Sequence, residues 1–117
     1  AGTVIDGAWR DGHMCLKLGY PVYSRSYSMR TGKDRVQVDA TNVPVSIGGA
    51  RVHPNDIMRG DSDGVIVIPK EHEDKVLEAA EAIEAAEDKI RAALKSGMRL
   101  DEARQLNQYH HLQSRED

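Results

Sequence analysis

Five consecutive residues, Gly7-Ala8-Trp9-Arg10-Asp11, bring together the types from which an anion- and metal-handling site can be built. An arginine offers a planar fork of donors that matches a carboxylate or an enolate. The aspartate beside it offers hard oxygens for magnesium, which takes few protein ligands and keeps several waters. Thr3-Val4-Ile5 reads as a short buried strand that ends at Gly7, and about Asp11 to Leu18 reads as a helix closed by Gly19. The pair is therefore expected between a strand end and a helix N-terminus, where backbone donors gather and anionic ligands bind. Neighbouring residues at a helix start diverge by about a quarter turn, so the two side chains can line adjoining walls of one pocket. By spacing alone an Arg-Asp dipeptide is common, and a surface charge pair or a helix cap is the plainer reading.

Other chemistry-bearing residues have plainer readings too. His13 lies close to Asp11 and could approach a metal, or it is a solvated helix residue. Cys15 could be a nucleophile, but no base is suggested near it, and a small core residue is the alternative. Asp61, Asp63 and Gly64 faintly resemble a calcium loop, yet no glutamate follows at the required distance, so a β-turn is expected. The adjacent His110 and His111 could ligate metal, although neighbours on a helix point apart. Ser26-Tyr27-Ser28 with Arg30 could bind phosphate, or form a mobile polar loop beside the pocket.

The elements that must position these residues divide into a strand-rich front, 1–69, and a helical tail, 70–117. Pro21-Val22-Tyr23-Ser24 reads as a second strand, and Ser26 to Lys33 as a loop. Val36 and Val38 alternate with polar residues as a strand would. Val43 to Ile47, the Gly48-Gly49 turn and Ala50-Arg51-Val52 make a hairpin pattern. A turn at His53 to Asp56 precedes Ile57-Met58, and Asp61 to Gly64 turns the chain into Val65 to Ile68. That continuous β-branched run suits a strand buried on both faces. After Pro69 a helix is expected from about Lys70 to Ser96, with Val76, Ala80, Ile83, Ile90 and Leu94 as its apolar stripe. Beyond Gly97, Leu100 to His111 reads as a shorter helix with Asp101 in its first turn.

Composition narrows the function classes. A chain of 117 residues is one domain at most. A formal net charge of -3 gives no basic footprint, so nucleic acid is not expected as a partner. One cysteine excludes an internal disulfide and fits a reducing cytoplasm. No apolar run approaches the ~20 residues of a membrane span, and Ala1 to Asp6 lack the basic flank of a signal peptide. A soluble cytoplasmic protein is the expectation.

Four ordered blocks carry a family resemblance over roughly residues 2 to 70. Val4-Ile5-Asp6-Gly7-Ala8-Trp9-Arg10-Asp11 resembles the V-x-D-G-x-x-R-D signature of the RraA-like family. Leu18-Gly19-Tyr20-Pro21-Val22-Tyr23-Ser24-Arg25 is similar to its next block, and Asn42-Val43-Pro44-Val45-Ser46-Ile47-Gly48-Gly49 to its N-V-P-V-x-I-G-G hairpin. Pro54-Asn55-Asp56 and Gly60-Asp61-Ser62-Asp63-Gly64-Val65 are similar to its last turn and strand. The family includes metal-dependent 4-hydroxy-4-methyl-2-oxoglutarate aldolases, related oxaloacetate decarboxylases and the regulator of ribonuclease E activity.

The resemblance implies an α/β fold, the three-layer β/β/α sandwich of the swivelling-domain type, here as the C-terminal portion of one domain with its N-terminal part missing. It implies that Arg10 holds the pyruvyl end of a 2-keto acid and stabilises the enolate, and that Asp11 ligates Mg2+ or Mn2+. The implied activity is a metal-dependent lyase that cleaves a C–C bond through a pyruvate enolate. The alternative is a non-catalytic regulator that binds a protein partner such as a ribonuclease. Catalytic members carry a further aspartate about twenty residues before the pair, a position that precedes Ala1. Some also carry an acid where this chain has Met14. An N-terminal companion segment is expected to complete the sheet, and a homotrimer, or a hexamer of two stacked trimers, to surround it. In longer members the tail helices pack on a neighbouring subunit, which could bring His110 and His111 to a partner's site.

Overall fold

β-Branched and aromatic residues crowd the front of the chain, and alanine and glutamate the back, and the computed structural model follows that change. It describes residues 2–112 and 114; the ends of the expected front and tail at residues 1, 113 and 115–117 lie outside the described residues. The order is β1 (Thr3–Trp9), α1 (Gly12–Leu18), β2 (Val22–Tyr27), β3 (Val45–Ile47), β4 (Ala50–Val52), β5 (Ile57–Gly60), β6 (Val65–Ile68), a 3-10 turn (Lys70–His72), α2 (Glu73–Lys95), α3 (Leu100–Leu106) and α4 (Tyr109–Leu112). The mixture is an α/β fold, and it divides into two compact units, Ala1–Lys70 and Glu71–Asp117.

In the strand-rich unit, β1 and β2 run parallel, and α1 makes the crossover between them. β3 pairs antiparallel with β4, and β5 with β6. The hairpin at Gly48-Gly49 forms because both glycines take positive φ, 58° and 86°, as a tight two-residue connection requires. Gly60 is required for another reason: a Cβ there would stand 2.6 Å from the Tyr23 ring. Asp56 closes the unit's lower loops. Its carboxylate accepts the His53 N–H at 2.7 Å and the Lys70 N–H at 3.1 Å, and its side chain is 6% exposed.

Those two backbone N–H groups hold the Asp56 carboxyl below its ordinary value of 3.8. A depressed carboxylate contributes stability that is fully present above the ordinary value and is lost as pH falls through the depressed one. Asp56→Asn is therefore expected to lower the thermal midpoint at neutral pH by several degrees. The gap to wild type should then close as pH falls below the ordinary carboxylate range. A gap that stays constant from pH 7 to pH 3 would show that the charge on Asp56 contributes nothing.

Several expectations need correction. β1 does not end at Gly7 but runs to Trp9, because an irregularity at Asp6-Gly7 absorbs the glycine. β2 continues through Ser26 and Tyr27, which removes two residues from the expected loop. Val36 and Val38 form no strand and are 77% and 81% exposed; alternation makes a strand only where a partner supplies its hydrogen bonds. β6 pairs with β5 alone among the described residues, and Ile66 is 59% exposed, so the run is not buried on both faces in this chain. No described residue of this unit is fully buried.

In the helical unit, α2 begins after the 3-10 turn rather than at Lys70. Of its expected apolar stripe only Ile90 is buried, with Ala86 one turn before it, while Val76 and Leu94 stay 37% and 39% exposed. Arg91 pairs with Glu87 at 2.7 Å one turn back and with Asp88 beside it. The Tyr109 hydroxyl donates to Glu87 at 2.9 Å, tying α4 to α2. Leu100 to His111 is two helices, not one, because Gln108 takes a left-handed φ of 49° that a continuous helix excludes.

Candidate functional site

β1 delivers Trp9, and Arg10 and Asp11 come next, before α1 begins at Gly12. Asp11 has φ 66° and ψ 26°, the left-handed region that aspartate tolerates better than most residues. Its carbonyl accepts the first helical N–H groups, from Met14 at 3.0 Å and Cys15 at 3.2 Å. Its carboxylate makes no cap bond to the helix it precedes, contrary to the helix-cap alternative. Arg10 Nε lies 3.5 Å from Asp11 Oδ2, with the two side chains 51% and 68% exposed. A contact that long between exposed groups is worth little energetically. Both groups remain available to a ligand.

The walls around the pair come from β2 and the segment after it. An open depression of about 440 Å³ is lined by Trp9, Arg10, Asp11, Gly12, Tyr27, Ser28 and Met29. The Trp9 and Tyr27 rings stand 5.6 Å apart at 43°, and the Ser28 N–H donates to the Trp9 carbonyl at 2.9 Å. Gly12 starts α1 beside the aromatic pair, where an added Cβ would make ordinary van der Waals contact with the Trp9 ring at 3.6 Å.

No group of three or more His, Cys, Asp or Glu side chains gathers to hold a metal among the described residues. The donor set here is one hard carboxylate. That suits Mg2+, which is held through one or two carboxylates plus substrate and water, and not a caged transition metal.

The remaining sequence candidates separate. His13 is exposed on α1, and Cys15 is a half-buried free thiol on the same helix. Asp61 and Asp63 form a turn: the Asp63 N–H donates to Asp61 Oδ1 at 2.8 Å, and the Asp61 N–H to the Gly64 carbonyl at 3.0 Å. Ser28 Oγ accepts the Arg30 N–H at 3.2 Å, while Ser26 and Tyr27 belong to β2, so no phosphate loop gathers there. His110 and His111 lie on α4 in the helical unit, where the Tyr109 ring meets the His110 ring edge-on at 6.3 Å.

Asp6 has no neighbour in sequence that points to a role for it, yet it joins three parts of the strand-rich unit. It pairs with Arg25 of β2 and accepts the Gly48 N–H of the β3–β4 turn at 3.1 Å. The Arg25 side chain, and to a lesser degree the Gly48 N–H, holds its carboxyl below the ordinary range. Its place in the V-x-D-G stretch was the signal available; the partners, 19 and 42 residues away, were not.

The family model described as RraA-like, Aldolase/RraA, matches residues 1–67. A protein of Halalkalibacterium halodurans named "Putative 4-hydroxy-4-methyl-2-oxoglutarate aldolase" is 39% identical over 88 residues, which are 75% of this chain and 41% of that protein. Protein DlpA of Legionella pneumophila is 38% identical over 104 residues, 89% of this chain and 17% of its own length. The crystal structure of an uncharacterized protein from Pseudomonas syringae pv. tomato superposes with a TM-score of 0.81 at 36% identity, covering 84% of this chain and 49% of that one. The chain thus spans less than half the length of each of these relatives.

Proposed function

The chain belongs to the RraA-like family, and from that premise we propose that it forms part of a divalent-metal-dependent lyase that cleaves a C–C bond of a 2-keto acid. The supporting observation is the adjacent Arg10 and Asp11, set directly after β1 with a carboxylate that does not cap α1. The similarity to a protein named as an aldolase gives the reading its substrate class. Breaking the bond beyond the 2-keto group leaves an electron pair that spreads onto the keto oxygen as a pyruvate enolate. Arg10 binds the pyruvyl end and places guanidinium donors where that negative charge develops. Asp11 would hold Mg2+ or Mn2+, which when bound supplies Lewis-acid polarisation of the keto group. The Trp9–Tyr27 ring pair forms one wall of the depression that Arg10 and Asp11 line. Aldol cleavage and oxaloacetate decarboxylation both end in the same enolate, so one site serves either.

The open strand pairs, with no fully buried described residue in their unit, support further packing against them, as a homotrimer or hexamer would give. Among the described residues no helix is long and apolar enough to cross a membrane. The test is direct. The complete protein is supplied with oxaloacetate and Mg2+, and pyruvate is followed with a coupled dehydrogenase. Pyruvate release that stops with a chelator and returns with Mg2+ is the expected result. Release that does not depend on metal would refute the reading.

A further inference from the structure

The register of β1 against β2 carries an irregularity close to the candidate site. Ile5 lies opposite Ser24 and Ala8 opposite Ser26, so Asp6 and Gly7 together face the single residue Arg25. One extra residue on one strand is a β-bulge, which bends the strand and re-aims the residues beyond it; such features occur beside active sites. The residues beyond this bulge include Trp9, Arg10 and Asp11. The bulge is also tied down from two sides. Asp6, at its first position, pairs with Arg25 directly across from it, and its second oxygen accepts the Gly48 N–H from the β3–β4 turn. A free bulge can slip by one residue, and a one-residue slip would turn every later side chain of β1 to the opposite face. A charged clamp at the bulge itself opposes that slip.

We infer that Asp6 and Arg25 are positioning residues, whose contact across the bulge fixes the direction in which β1 presents Arg10 and Asp11. The inference rests on the reading that Asp11 holds the cation. Neither residue lines the depression around Arg10, so their effect must pass through the strand. Trp9 reports on that strand without any turnover. It is the one tryptophan of these 117 residues, lies between the bulge and Arg10, and packs on Tyr27, and its emission is isolated in the complete protein by difference from a Trp9→Phe variant.

The experiment uses the complete protein and three readouts: Mn2+ binding by electron paramagnetic resonance, Trp9 emission, and far-ultraviolet circular dichroism. Asp6→Asn keeps the side-chain shape and removes the charge. It is expected to weaken Mn2+ binding ~10–100-fold, the usual cost of losing a partner that orients a metal ligand. Trp9 emission should shift while the helical signal stays unchanged. Arg25→Gln, at a 66% exposed side chain, should reproduce both effects, and the double variant should be no worse than either single one. If Asp6→Asn fails to fold, Arg25→Gln decides alone. Unchanged Mn2+ affinity in a folded Arg25→Gln protein would overturn the clamp. If Asp11→Asn itself leaves Mn2+ affinity unchanged, the metal reading fails instead. A Trp9 shift in Arg25→Gln would still establish control of the strand in that case.

Discussion

Asp11→Asn is expected to lower metal-dependent pyruvate release by ~100-fold or more, beyond the 10–100-fold typical of a lost partner to a metal ligand. Asparagine is the informative replacement because of the backbone. Asp11 sits at φ 66°, where a non-glycine side chain is disfavoured and asparagine is tolerated about as well as aspartate. Alanine there would add backbone strain of ~1–2 kcal/mol to the loss of the ligand, mixing stability with chemistry. Since the carboxylate makes no cap bond to α1, removing its charge takes no hydrogen bond from the helix. The thermal midpoint should therefore stay close to wild type while the rate falls. Asp11→Gly would relax the left-handed backbone and still be inactive, separating the two effects in the other direction. The measurement is coupled pyruvate release over a magnesium titration, with thermal unfolding alongside. An Asp11→Asn protein that keeps its magnesium-dependent rate would remove this residue from the site.

The parts of the structure legible in the sequence are those in which cause and effect are close along the chain. Gly48-Gly49 between β-branched runs specifies its hairpin, because only those two residues and their flanks decide it. Gly19 stops α1 at φ 62° for an equally local reason. Arg10 and Asp11 were visible as a pair because they are neighbours in sequence. Val36 and Val38 show the opposite case, since alternation is a property of the segment whereas a strand is a property of two segments. The bulge at Asp6-Gly7 was hidden behind Gly7, whose ordinary reading is a strand end. Asp6 with Arg25, and Asp56 with the Lys70 N–H, are contacts across 19 and 14 residues that no local pattern encodes. The stripe on α2 has helical period throughout, but period does not say which of its residues find a partner. What the sequence left unread of the site was thus the support beneath the pair.

Arg10→Lys is expected to separate the lyase reading from that of a protein-binding regulator. Lysine keeps the positive charge at a side chain that is half exposed, so a surface that attracts a partner by charge should lose little. The chemistry has a stricter requirement. A guanidinium presents two parallel N–H groups to a carboxylate or enolate, and an ammonium presents a single rotating point charge. Removing one preorganised donor from an oxyanion costs ~100–1,000-fold, so a partial replacement should cost ~10–100-fold. The loss should fall mainly on kcat, because the charge that lets the substrate bind is retained while the donor geometry meeting the enolate is not. Fold and magnesium affinity should stay unchanged, since Arg10 contributes only a long, exposed contact to Asp11 at 3.5 Å. The measurement is kcat and KM for oxaloacetate at saturating magnesium, with Mn2+ affinity as the control. A variant with wild-type kcat would show that Arg10 does not meet the developing charge and would favour a binding role for this face.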